Sequence, residues 1–344
     1  MPSSMPIFDV RSPGEFNHAH IPNANSLPLF NDEERKIVGT AYKQQGKQPA
    51  IKLGLDFFGL KMKSIVEEVE QIVKTQALPS TTTNAILVHC WRGGMRSAGV
   101  AWLLDMYGFD VHVLVGGYKA YRNWALQQFE KEYSISILGG YTGSGKTEIL
   151  SALQSMNEKT IDLEGIANHK GSAFGGIGQV AQTSQEMFEN KLALKLYATT
   201  SNTIPSVLNH FWLEDESQRI GSLNIPHALW KTIRKQMVYF IEIPFEERLN
   251  YIVENYAPLD KEKLIEAVTR IQKRLGPLET KTTISYLKEN NFSEAFKVLL
   301  MYYDKTYTKS MHNRENIDKM IQKITLSAVD HITNAKNILL EIKK

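Results

Sequence analysis

Ser134-Ile135-Ser136-Ile137-Leu138-Gly139-Gly140-Tyr141-Thr142-Gly143-Ser144-Gly145-Lys146-Thr147 is the stretch on which the reading of this chain turns. Ser134–Leu138 reads as a strand that runs directly into Gly140–Thr147, a full G-x-x-x-x-G-K-[ST] phosphate-binding loop, and Glu148 to Met156 reads as the helix behind it. In that context each residue type has a task. Glycines let backbone amides point at phosphate oxygens, Lys146 supplies charge, and the Thr147 hydroxyl can ligate Mg²⁺. Moving outward, the strand-like Thr160–Leu163, Val207–Leu213 and Val238–Ile243 alternate with helical stretches, the pattern of a parallel sheet covered by helices. Acidic partners for a metal should end a neighbouring strand. Two sets qualify, Asp162 with Glu164 and Glu214 with Asp215 and Glu216, and the sequence does not choose between them. From Phe245 onward the periodicity is helical only, with candidates at Pro244–Asn255, Lys261–Leu275, Thr282–Asn290, Phe292–Tyr303 and from about Asn316 to the end.

Upstream stands a second loop, Cys90-Trp91-Arg92-Gly93-Gly94-Met95-Arg96-Ser97. It follows a buried strand, Ala85–His89, and precedes a helix marked by Val100, Leu103, Leu104 and Tyr107 and stopped by Gly108. Five residues separate Cys90 from Arg96, two of them glycine. Amides of Trp91, Gly93, Gly94 and Met95 can then turn inward around the sulfur, with a helix N-terminus facing it. With the charges of Arg92 and Arg96 added, the thiolate is favoured and Cys90 becomes a nucleophile at neutral pH. Around this loop the sequence reads as strand Ile7–Arg11, polar helix and loop from Asp32 to Leu55, and a helix from about Gly59 to Thr75 carrying Ile65, Val69, Ile72 and Val73. A polar break at Ser80–Asn84, strand Val111–Val115 and a helix Lys119–Glu132 follow.

The 344 residues are long for one domain, and 42% apolar with 22% charged residues is ordinary for a globular chain with real cores. A net charge of +3 does not by itself imply a polyanionic partner. One cysteine excludes an internal disulfide and points to a reducing compartment. Met1–Asp9 lacks the pattern of a signal peptide. The most apolar run, Val100–Val115, is broken by Asp105, Asp110 and His112, so no membrane span and a cytoplasmic protein are expected.

Asp9-Val10-Arg11 with Glu15 and Ala19–Ala24, the Cys-x5-Arg-Ser loop, and Val113–Gly117 together resemble the entry motif, active-site loop and closing strand of rhodanese domains. Protein tyrosine phosphatases share Cys-x5-Arg, but Asp9 and Asp32 do not sit in a recognisable acid loop. A rhodanese-like domain fused to a P-loop domain resembles the bacterial tRNA 2-selenouridine synthases. Val38–Gln45, Ala50–Gly54, Asp162–Glu164, His169–Gly175, Glu214–Ser217 with Arg219–Gly221, and Tyr302–Asp304 with Tyr307 resemble further motifs of that family. Lys170 and Gln218 stand where arginines are expected, and Leu275-Gly276-Pro277 where two glycines are expected. The fold this implies is α/β: a rhodanese-like domain at 1–132, a P-loop NTPase-like parallel-sheet domain at 133–250 and a C-terminal helical region at 251–344.

The resemblance also implies the chemistry. The substrate is a tRNA with 2-thiouridine at the wobble position, the product 2-selenouridine, the selenium donor selenophosphate. The path runs through S-geranyl-2-thiouridine made from geranyl diphosphate. Cys90, Arg92 and Arg96 are assigned to selenium delivery and Lys146 to the leaving diphosphate. Mg²⁺ on Thr147 is the expected metal, and no tightly bound cofactor is expected. Tyr42, Lys43, Lys52, His169, Lys170 and Arg219 are the candidates for tRNA binding. Lys47, Lys61 and Lys63 in the same insert join them, as does Trp212 as a second stacking platform. A selenophosphate-producing enzyme is the implied partner, and the chain is read as monomer or homodimer. The competing readings are a sulfurtransferase coupled to a kinase-like activity on a small molecule, and a redox sensor that binds nucleotide.

Overall fold

The computed structural model describes residues 5–76, 84–201, 210–314 and 317–342. They form two compact units, 1–127 and 128–344. In the first, the chain runs β1 (Ile7–Asp9), α1 (Pro13–His18), β2 (Ala24–Ser26), α2 (Asp32–Gln44), α3 (Lys47–Gln76), β3 (Ala85–His89), α4 (Met95–Tyr107), β4 (Asp110–Val113) and α5 (Gly117–Gln128). The strands make one parallel sheet in the order β2-β1-β3-β4. Phe8, Ile86 and Val88 from the strands and Val10 just beyond β1 meet Val100, Leu103 and Leu104 of α4 and Ile65 and Val69 of α3 in its core. Cys90 lies at the edge of that cluster, at the C-terminal end of β3.

The insert is more helical than its sequence suggests. Instead of loop to Leu55 and helix from Gly59, α3 is one helix from Lys47. Its buried face begins at Ala50 and continues through Gly54, Phe58, Ile65 and Val69. Gly54 is a contact glycine and not a break: a Cβ there would stand 3.3 Å from the Phe30 ring. The predicted polar break at Ser80–Asn84 falls almost wholly outside the described residues.

The second unit continues with β5 (Ser134–Gly140), α6 (Lys146–Ser155), β6 (Thr160–Ile161), α7 (Leu163–Ala167), α8 (Gln185–Ser201), β7 (His210–Glu214), β8 (Arg219–Ile220), β9 (Leu223–Asn224), α9 (His227–Ile233) and β10 (Val238–Glu242). After these come α10 (Phe245–Tyr256), α11 (Lys261–Arg270), α12 (Gln272–Leu275), α13 (Pro277–Lys288), α14 (Phe292–His312), α15 (Ile317–Met320), β11 (Ile321–Thr325) and α16 (His331–Ile342). The main sheet is parallel, β11-β10-β5-β7-β6, while β8 and β9 form a small antiparallel pair. Its centre, β5, is buried along Ile135–Gly140, as a strand covered on both faces must be. The strand predicted from Val207 is described from His210; Val207 and Leu208 lie outside the described residues.

One expectation is overturned. The C-terminal stretch is not purely helical, because Ile321–Thr325 is a strand paired with Val238–Glu242, Ile321 opposite Val238 and Thr325 opposite Glu242. Ile317, Ile321 and Ile324 stand at i, i+4 and i+7, which reads as a helix face. As the outermost strand of the sheet, β11 needs only Ile324, together with Leu326 beyond it, inside the core formed with Ile241, Leu138 and Trp212. The remaining helices α10–α14 build their own cluster around Leu264, Val268, Leu287, Phe296 and Leu300. Among the described residues, no helix is long and apolar enough to cross a membrane.

Candidate functional site

In the first unit the Cys90 loop is pinned from beneath by the turn that starts α5. Tyr118 N donates to Cys90 O (2.8 Å) and Lys119 N to Trp91 O (2.9 Å). The approach is close enough to require glycine at Gly117, where φ is +58° and a Cβ would meet Cys90 O at 2.3 Å. Held this way, the loop presents Gly94 N to Cys90 Sγ at 3.3 Å, and the Ser97 hydroxyl stands 3.3 Å from the same sulfur. Burial alone would push the thiol up. The Ser97 hydroxyl and the amides of Ser97, Arg92 and Gly94 outweigh it, so the Cys90 pKa is lowered.

The predicted helpers divide. Arg92 contributes its amide, while its side chain is exposed, as are Trp91 and Met95. Arg96 is turned to Glu15, Nη1 to Oε2 at 2.8 Å, and Arg35 Nε lies 3.5 Å from the same oxygen. Glu15 also accepts from Ser12 N, and against the cost of burial the Arg96 contact holds its carboxyl below the usual range. The Asp9-Val10-Arg11 motif is framework. Arg11 is buried, paired with Asp9 and bonded to Ala19 O at 2.7 Å, with its guanidinium 3.9 Å from the Tyr118 ring centre.

In the second unit Gly140–Thr147 follows β5 as the motif requires. Lys146 Nζ bonds Gly140 O (3.1 Å) and lies 3.5 Å from Glu214 Oε1. The Thr147 hydroxyl donates to Glu164 Oε2 (3.2 Å) or Glu214 Oε2 (3.1 Å). The ambiguity over acids resolves into one residue from the first set and two from the second. Glu164, Glu214 and Glu216 bring carboxylate oxygens within 4.8 Å of one another. Asp162 instead caps α7, accepting from Gly165 N at 2.8 Å. Asp215 accepts from Tyr307 Oη at 2.6 Å and pairs with Arg314. Alternation along an extended chain explains the split, because 214 and 216 face one way and 215 the other.

Burial, with mutual repulsion, raises the Glu164 carboxyl to about 8, raises Glu214, and raises Glu216 well above the usual range. The same carboxylates lift Lys146 against its burial. Thr147 with Glu164, Glu214 and Glu216 gathers the oxygens that would hold a hard divalent cation such as Mg²⁺.

Residues distant in sequence, to which the sequence reading gave no role, hold the loop. Arg248 is buried, donates to Ile243 O (3.2 Å) and Thr142 O (3.0 Å), and pairs bidentately with Asp304 (3.0 and 2.8 Å). Tyr307 Oη accepts from Gly140 N at 3.4 Å, and Tyr303 Oη accepts from Ala173 N at 3.3 Å. The Tyr302-Tyr303-Asp304 and Tyr307 motif thus ties α14 to the phosphate loop and to the 169–175 loop. Above the loop opens a cleft of ≈ 340 Å³ whose walls include Tyr251, Ile252, Tyr256, Tyr303 and Met311.

Of the RNA-binding candidates, Tyr42, Lys43, Lys52 and Arg219 are exposed, and Lys170 lines the cleft. His169 is half-buried, its ring pKa lowered by burial and then by Arg270. Trp212 is a correction: it is 1% exposed, on β7 between β5 and β6, and packs on Tyr239 in the core, so no base can stack on it. Lys61 is a strut, bonded to Glu34 and Leu29 O, and Lys63 pairs with Glu67 along α3.

Comparison with known proteins matches both units. A rhodanese-like domain model matches residues 2–123, and the model of the tRNA 2-selenouridine synthase AAA domain matches residues 133–337. The tRNA 2-selenouridine synthase of Sulfurovum sp. (strain NBC37-1) is 34% identical over 337 residues, 90% of this chain and 88% of that protein. That of Pseudomonas syringae pv. syringae (strain B728a) is 37% identical over 298 residues, 80% and 76% of the two chains. The crystal structure of an N-terminal domain of an ATP/GTP binding protein from Clostridium difficile 630 is 41% identical, covering 36% of this chain and 90% of its own, with a TM-score of 0.33. The fold assignment rests on the sheets above and not on that last likeness. A thiolate cradle and a phosphate loop in one chain, each inside its own matched region and both spanned by relatives of one name, lead to one conclusion: the chain belongs to the tRNA 2-selenouridine synthase family.

Proposed function

We propose that this enzyme replaces sulfur by selenium in the wobble 2-thiouridine of tRNA, with selenophosphate as donor and S-geranyl-2-thiouridine as intermediate. One observation carries the reading: a buried, activated thiol and a phosphate loop beneath an aromatic and apolar wall stand in two separate units of one chain. Two sites of that kind suit two steps.

In the first step the thiocarbonyl sulfur attacks the allylic carbon of geranyl diphosphate, and the carbon–oxygen bond breaks with its electron pair leaving on diphosphate. Lys146 and the loop amides of Gly143–Thr147 hold that growing charge. Ile252, Tyr256, Tyr303 and Met311 offer the tail a surface that a nucleotide ribose would not need. Mg²⁺, held by Thr147 and the three glutamates, would supply charge neutralisation to the diphosphate. Alkylation matters because a thiocarbonyl sulfur leaves poorly, whereas geranylthiol leaves as a neutral species. In the second step the Cys90 thiolate attacks the phosphorus of selenophosphate, the S–P bond forming as the P–Se bond breaks. The hydrogen selenide released attacks C2 of the S-geranyl base, and geranylthiol leaves with the C2–S electron pair and a proton. Water returns the phosphocysteine to thiolate and phosphate. The amides of Arg92, Gly94 and Ser97 stabilise the anion there.

Nucleoside mass spectrometry of thiolated tRNA, incubated with protein, geranyl diphosphate and selenophosphate, tests this directly. Lys146→Ala should lose S-geranyl-2-thiouridine yet still selenate pre-geranylated tRNA, and Cys90→Ala should geranylate without selenating. Loss of both steps in either variant sinks the division of labour. Neither product from the native protein sinks the reading as a whole.

A further inference from the structure

The cleft above the phosphate loop belongs to the reading already given, but a groove of ≈ 460 Å³ on the first unit does not. It lies between α2 and the start of α4, lined among others by Arg35, Lys36, Gly39, Tyr42, Lys43, Met95 and Arg96. The last two follow Gly94, whose amide bonds the sulfur, and begin α4, so the groove lies against the segment that closes the thiolate's cradle.

Three features say what fits there. On α2, Arg35, Gly39 and Tyr42 stand at i, i+4 and i+7, and Lys36, Thr40 and Lys43 form the adjacent row. Arg35 reaches Glu15, but among the described residues Lys36 and Lys43 carry no ion pair. Tyr42 and Met95 expose about half of their surface, 51% each, at the groove's two sides. The third is Gly39. It sits mid-helix, where glycine is destabilising relative to alanine, yet a Cβ added there would meet nothing within 4 Å. No neighbour within the described chain requires that flat spot, and a flat ligand pressed against the backbone would.

We propose that this groove seats one unpaired nucleotide of the RNA substrate during the selenium step. The base lies over Gly39 and stacks on Tyr42, the flanking phosphates sit on Lys36 and Lys43, and C2 of the base faces the Cys90 loop. The assignment rests on the tRNA reading, in which Tyr42 and Lys43 are already candidates, and adds the groove, Lys36 and Gly39.

The test uses the full-length protein and a stem–loop RNA with 2-thiouridine in its loop, followed by fluorescence anisotropy. Tyr42→Ala should weaken binding about tenfold, with Tyr42→Phe recovering most of the loss. Lys36→Ala with Lys43→Ala should flatten the dependence of log affinity on log salt by about 1.4. Gly39→Ala should raise the melting temperature while weakening RNA binding, a pairing that a merely structural glycine would not give. If the native protein makes 2-selenouridine and these variants bind RNA as it does, the groove is the wrong place and the function stands. If the native protein neither binds nor modifies thiolated RNA, the tRNA reading itself falls.

Discussion

Replacing Ser97 by alanine should make Cys90 a slower nucleophile, by an amount one hydrogen bond sets. In the native loop burial raises the thiol, and the Ser97 hydroxyl is first among the groups that overcome it. A hydrogen bond to a charged group contributes about 1.5–3 kcal/mol, and at an ordinary 3.3 Å contact to sulfur the loss is at least roughly 1.5 kcal/mol. About 1.4 kcal/mol of differential stabilisation is a decade in population, so the variant should hold about tenfold less thiolate wherever thiol predominates. The chain has one cysteine, so alkylation by iodoacetamide reads this site without background. Rates followed from about pH 5 to about pH 10 should trace a profile displaced to higher pH, reaching the same plateau. Stability follows the same sign. The folded thiol pKa is lowered, so ionised Cys90 stabilises the fold above the unfolded thiol's pKa, and that contribution is lost as pH falls through the folded value; the variant narrows the window. A profile that superimposes on the native one would refute the reasoning. It would mean that Ser97 spends its proton on Gly94 O, 3.1 Å away, and that amides alone hold the sulfur.

Four further outcomes are expected. Glu164 is raised to about 8 from 4.5, so in metal-free protein its stabilising contribution is full below about 4.5 and lost as pH rises through about 8. Calorimetry should show Tm falling across that window, restored by Mg²⁺ near the upper end and flattened in Glu164→Gln. Arg248→Lys keeps the charge but cannot span Asp304, Thr142 O and Ile243 O together. It should cost about 3 kcal/mol in denaturant unfolding and weaken diphosphate binding, and a neutral effect would remove Arg248 from the frame of the loop. Trp212→Phe should lower stability by roughly 1–3 kcal/mol and leave RNA affinity unchanged, the reverse of a stacking residue. Near neutral pH inorganic pyrophosphate should bind with little proton exchange on its own and with proton release when Mg²⁺ accompanies it, because the cation displaces protons the raised glutamates already hold; calorimetric titration in buffers of different ionisation enthalpy reads the difference.

Both loops were legible because each is a contiguous run whose residue types have one task apiece. Cys90–Ser97 and Gly140–Thr147 needed only a strand before and a helix after, and β3, β5, α4 and α6 supply them. The acids were half legible. The strand end was visible, but choosing Glu214 and Glu216 over Asp215 required treating Glu214–Glu216 as extended chain, and adding Glu164 required knowing that α7 starts beside it. What could not be read was anything fixed by distant packing. Arg248 meets Asp304 across 56 residues and Asp215 meets Arg314 across 99. Ile321–Thr325 carries a helical spacing that only its place beside β10 turns into a strand. Trp212 was misread for the same reason, since an aromatic in a strand looks alike in sequence whether it faces solvent or core.

The two sites handle negative charge in opposite ways, and that difference accounts for their separate housing. Around Cys90 the stabilising groups are neutral dipoles, a hydroxyl and three amides, while Arg96 satisfies Glu15 and not the sulfur. Such a cradle accepts whatever anion the sulfur carries without a change in its own charge, which suits a thiolate that must pass through several anionic forms. Around Lys146 the balance is made of full charges, three carboxylates against one ammonium, and an arriving diphosphate is tolerable only with protons or a divalent cation. Joining the two would set the carboxylates against the thiolate and raise the very pKa that the amides lower. Two units, each with its own sheet and its own loop at a strand's C-terminal end, give the neutral cradle and the charged phosphate site separate frameworks within one chain.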